Sequence, residues 1–139
     1  RAMQFNAKVI EALLPETSRL ESLQELPSDS QDSGVKIVDP WEVLQQESSG
    51  EGALPESWDV TSDSLAAWIA TRANASELVL LKSTLPPVGA TVPRVIAGGY
   101  LDRYFEQAAA AVVHIRCVNL RDRTFPEVEI EFGNRSRNS

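Results

Sequence analysis

The stretch SDSLAAWIATRANASELVLLKS, residues 62–83, joins a helix pattern to a strand pattern and decides the fold class. A helix is predicted to begin at Thr61 or Ser62, because a hydroxyl there can accept a hydrogen bond from a free amide of the first turn. Leu65, Ile69 and Ala73 then line one face, with Ala66 and Trp68 beside it. ELVLLKS follows as a nearly unbroken apolar run ending at Lys82, the pattern of a central strand covered on both faces.

Upstream, Met3, Ala7, Ile10 and Leu14 recur at helical spacing, and Pro15 marks where that helix stops. A short helix is expected over Arg19 to Leu26, a strand over Val35 to Val38, and a second short helix from Pro40 through WEVLQQE. Residues 48–55 are polar and glycine-bearing, as a loop would be. Downstream, TLPPVGATVPRVIAGGY fits neither period and is longer than an ordinary connection, which makes it a candidate lid or ligand-contacting segment. LDRYFEQAAAA reads as helix, VVHIRCVNL as strand and PEVEIEF as an alternating edge strand, with residues 133–139 as a frayed tail. Strands separated by helices and long connections predict one α/β domain over 1–139, with a mainly parallel sheet and helices on both faces.

Composition limits the partners. The 139 residues carry 20 acidic and 13 basic side chains, a formal charge of −7, which argues against a nucleic-acid surface and means that a polyanionic substrate needs a local basic pocket. Cys117 is the single cysteine, so neither an intrachain disulfide nor a zinc cluster is expected, and a reducing, cytoplasmic setting fits. No apolar run approaches the roughly 20 residues that span a bilayer, so no membrane partner is expected. His114 and Cys117 lie in one strand-like run without a partner histidine, and both read as structural residues. The chain opens at Arg1 inside a helix pattern, which raises the expectation that an N-terminal part precedes it.

Open parallel sheets bind ligands beyond the carboxyl ends of their strands, which singles out Lys82 and Ser83. Asp59 and Asp63, four positions apart, stand at the entrance to the helix feeding that strand, where free amides and the helix dipole favour negative charge. Each feature has a plainer explanation. A first-turn Asp stabilises its own helix, a strand-end Lys is solvated, and Gly98–Gly99 makes a turn. Trp58 either packs or shapes a pocket beside Asp59.

The order LPESWDVTSDSLAAWIA, ELVLLKS, AGGYLDRYF, VNL resembles the C-terminal half of the amino acid kinase superfamily, and most nearly its small kinases of the aminomethylfuran phosphate kinase type. That resemblance implies a carbamate-kinase-like three-layer αβα sandwich and an ATP-dependent phosphotransferase using Mg²⁺ on a small-molecule acceptor. It implies that Asp63 organises the transferring phosphoryl group and that Asp59, with Trp58, Thr61 and Ser62 at the junction, binds the acceptor. It places Lys82, Ser83, Arg94, Gly98, Gly99 and Tyr100 on the nucleotide side. The superfamily's N-terminal Gly-rich phosphate loop is missing here, and the lysines are limited to Lys8, Lys36 and Lys82. The alternative is a non-catalytic α/β module that self-associates or binds a partner through an exposed sheet edge, with a homo-oligomer as the expected state.

Overall fold

In the computed structural model, residues 2–20, 22–26, 34–47 and 60–133 are described, with side chains from Phe5 onward. The chain, read above as one domain, divides into two compact units, residues 1–54 and 55–139. The architecture is mixed α/β. No helix among the described residues is long and apolar enough to cross a membrane.

The first unit holds α1 (Ala2–Leu13), β1 (Ser18–Leu20), a 3-10 turn (Leu23–Glu25), β2 (Lys36–Val38) and α2 (Pro40–Glu47). β1 and β2 run parallel, with Arg19 opposite Ile37. The helix expected over Arg19 to Leu26 is therefore a strand followed by a turn. Ser22 breaks the path by accepting the Gln24 amide, and Leu20 accepts the Asp39 amide beyond β2. Pro40 opens α2 as expected, since its missing N–H costs nothing in a first turn. Among the described residues of this unit Ala7, Leu20 and Val43 are the buried apolar ones, whereas Ile10 and Leu14, assigned to the buried face of α1, are exposed. Met3 lies outside the described side chains.

The second unit holds α3 (Ser62–Arg72), β3 (Glu77–Lys82), α4 (Val92–Ala97), α5 (Phe105–Ala108), β4 (His114–Asn119) and β5 (Glu127–Ile130). The sheet order is β3-β4-β5, with β3 and β4 parallel and β5 antiparallel. Thr61 caps α3, which settles its start. Its buried residues are Ser64, Leu65, Ala67, Trp68 and Ala70, so the covered stripe is displaced from the expected Leu65–Ile69–Ala73 line. Small residues surround this helix, so its own pattern fixes its orientation weakly; packing against α5 and β3 decides it.

β3 also differs from expectation. Leu78 and Leu80 are buried with Ile115, Cys117 and Ile130, but Val79 and Leu81 are 37% and 62% exposed, so one face is covered and β3 is an edge strand among the described residues. An all-apolar run carries no information about which face is covered. The outer face is laced by charge: Arg116 donates to Glu77 at 2.7 Å and to Glu127 at 2.5 Å, and His114 lies 3.1 Å from Glu129. The segment expected to be irregular contains α4, with Pro93 in its first turn. The helix expected from Leu101 is shortened to α5 because a turn occupies residues 101–104. The tail from residue 134, with Asp59 and Trp58, lies outside the described residues.

Candidate functional site

The site is built where α3 begins and β3 ends. Thr61 adopts the extended backbone of an N-cap and accepts the Asp63 amide through its hydroxyl, which sets Asp63 in the first turn. Nineteen residues later Lys82 closes β3, and its Nζ donates to Asp63 Oδ2 at 2.7 Å. Their side chains are 21% and 18% exposed, so the pair is largely shielded from water. The Lys82 ammonium also lies 4.8 Å from the centroid of the Tyr100 ring and donates to the Tyr100 carbonyl at 3.4 Å. A carboxylate, an aromatic face and a peptide oxygen thus surround one cation.

Tyr100 is fixed by how α4 ends. Gly99 takes φ +76, its amide bonds to Ile96 O, and the Tyr100 amide reaches back to Val95 O, the two bonds of a Schellman terminus. At its other end the Tyr100 hydroxyl donates to Thr84 O at 2.7 Å, bracing the loop after β3. Burial, a hydrogen bond with Cys117 and the neighbouring Asp63 charge push this phenol well above its ordinary value. Cys117 is fully buried, and burial raises its thiol too, so both groups stay neutral.

Sequence reasoning missed Asp102. Its carboxylate accepts the Thr61 amide at 3.1 Å, the Thr61 hydroxyl at 2.6 Å, the Ser64 hydroxyl, and the Tyr104 amide at 2.9 Å. Burial pushes this carboxyl up, but the combined hydrogen bonds from Ser64, Thr61 and Tyr104 outweigh it and hold it below its ordinary value. The available signal was local: an Asp in a turn accepts the amide two positions on, here that of Tyr104. Nothing local shows that it also grips the start of α3.

Asp63, Lys82 and Tyr100 are therefore brought together, with Thr61 beside them. Thr61 has its hydroxyl committed twice, as donor to Asp102 and as acceptor from Asp63. Ser62, Ser83 and Arg94 are exposed. Gly98 and Gly99 have their amides bonded to Arg94 O and Ile96 O, so they end a helix and offer no free N–H groups for a phosphate cradle. Among the described residues no three metal-ligating side chains cluster. Magnesium ordinarily needs one or two carboxylates plus substrate phosphates, and Asp63 is a carboxylate at this rim. No family model, curated protein or solved structure matches the chain.

Proposed function

We propose that residues 55–139 form the nucleotide side of an ATP-dependent phosphotransferase of the amino acid kinase type, acting on a small-molecule acceptor in a reducing, cytoplasmic setting. The observation that carries this reading is the Asp63–Lys82 contact at 2.7 Å, at the carboxyl end of a parallel strand and in the first turn of a helix. Ligands of open parallel sheets sit at such an edge. Phosphoryl transfer requires positioning and charge neutralisation there, with little covalent chemistry from the protein. Asp63 is the carboxylate at this rim that would meet magnesium bound to the donor's phosphates, and the ion would supply part of that neutralisation. Asp63 orders the groups around the phosphoryl, Asp59 and Trp58 contact the acceptor, and Lys82 exchanges its carboxylate partner for a phosphate oxygen. In this reading the β3-β4-β5 sheet belongs to a three-layer αβα sandwich whose remaining layer covers the outer face.

Titration calorimetry with Mg·ATP tests this. Binding is expected, and Lys82→Ala should weaken it roughly tenfold or more, since it removes a charged donor and leaves Asp63 uncompensated. A folded wild-type chain that takes up no Mg·ATP overturns the proposal.

A second reading, a self-associating module, draws on the edge of β3, unpaired among the described residues, and on the exposure of Leu81. It requires no turnover.

A further inference from the structure

Lys82 gives the site little net charge, because Asp63 offsets it. A polyphosphate needs cations from elsewhere, and several of the chain's cations are engaged. Arg116 is held by Glu77 and Glu127, Arg19 faces Glu11, and Arg72 lies over the Trp68 ring. Arg121 and Arg123, like Lys8, Arg94 and Arg103, are exposed and make no ion pair among the described residues, and what sets Arg121 and Arg123 apart is their place.

Both stand in the loop joining β4 to β5, and that loop starts at the site. Asn119 pairs in register with Lys82, and the Leu120 amide donates to the Lys82 carbonyl at 2.9 Å. The loop backbone is ordered by its own bonds. Asn119 Oδ1 accepts the Arg121 amide at 2.9 Å, and Asp122 Oδ1 accepts the Thr124 amide at 2.9 Å and the Thr124 hydroxyl at 2.8 Å. Those bonds from Thr124 hold the Asp122 carboxyl below its ordinary value, so it stays anionic while directed at Thr124. Two guanidinium groups against one carboxylate leave the loop net positive in a chain of charge −7.

We infer that this β4–β5 loop is a polyphosphate-binding lip, in which Arg121 and Arg123 take the phosphate chain of a nucleoside polyphosphate beside Lys82. Arginine suits that task, since its planar fork can grip two phosphate oxygens at once. The choice of a nucleotide as ligand rests on the function proposed above; the anion-binding lip itself does not.

Two probes separate the claims: inorganic tripolyphosphate and Mg·ATP, each titrated calorimetrically into the full chain. Wild type should bind tripolyphosphate, with affinity falling as salt rises, and Arg121→Ala/Arg123→Ala should weaken that binding roughly tenfold or more. Arg72→Gln, at the opposite end of α3 from Asp63, removes a positive charge away from the lip and should leave binding within about twofold. The lip is overturned if wild type ignores tripolyphosphate, if the loop double variant binds it as wild type does, or if Arg72→Gln weakens it as much. The nucleotide reading is judged on Mg·ATP and Lys82→Ala. Tripolyphosphate binding that needs the loop, without Mg·ATP binding, keeps the lip and removes the nucleotide. Mg·ATP binding that needs Lys82 but is indifferent to the loop does the reverse.

Discussion

Asp102 accepts four hydrogen bonds from three residues and ties the entrance of α3 to the turn before α5. Its contribution has a defined pH dependence. The folded carboxyl lies below its ordinary value of 3.8, so the stabilisation is present in full above that value and is withdrawn as pH falls through the folded one. Asp102→Asn should therefore lower stability by about 1.5–3 kcal/mol at neutral pH, the range for hydrogen bonds to a charged group, with the difference from wild type shrinking in acid. Urea denaturation across that range measures it, and parallel acid limbs for the two proteins would assign the effect to another group. Thr61 and Ser64 share this grip, so the same carboxylate that holds the helix start also fixes where Asp63 meets Lys82.

Among the elements, α4 shows how a glycine pair can invite two explanations that the backbone separates. Gly99 stands at φ +76 with nothing within 4 Å of an added Cβ, so Gly99→Ala meets a backbone cost alone, about 1–2 kcal/mol. Thermal denaturation reads that loss. Because the Gly98 and Gly99 amides are already bonded within the helix end, the folded Gly99→Ala protein should bind Mg·ATP as wild type does, whereas a phosphate-cradling turn would lose affinity. β3 is the other instructive element. Its alternation of exposed and buried residues is that of a strand with one covered face, even though four consecutive residues, Leu78 to Leu81, are apolar.

For the whole molecule, an edge strand with Val79 and Leu81 exposed is the surface on which self-association would act. If it does, light scattering should give about twice 15.3 kDa at high concentration, and Leu81→Lys should return the mass to one chain; a wild-type mass of one chain at every concentration removes that reading. The sequence by itself determined what depends on near neighbours: the capped start of α3, the proline-led α2, the strands at β2 and β4, and a buried Cys117. It also marked Asp63 and Lys82 as the residues to watch. Tertiary structure alone decided that Ser18–Leu20 is a strand, since its partner lies 18 positions on; that Asp102 holds Thr61 across 41 positions; and that β3 is covered on one face. A cap or a proline acts within one helical turn, so adjacent residues suffice to read it. Strand pairing, helix orientation and carboxylate partners are fixed by groups far along the chain, and a run apolar at every position gives equal weight to either face.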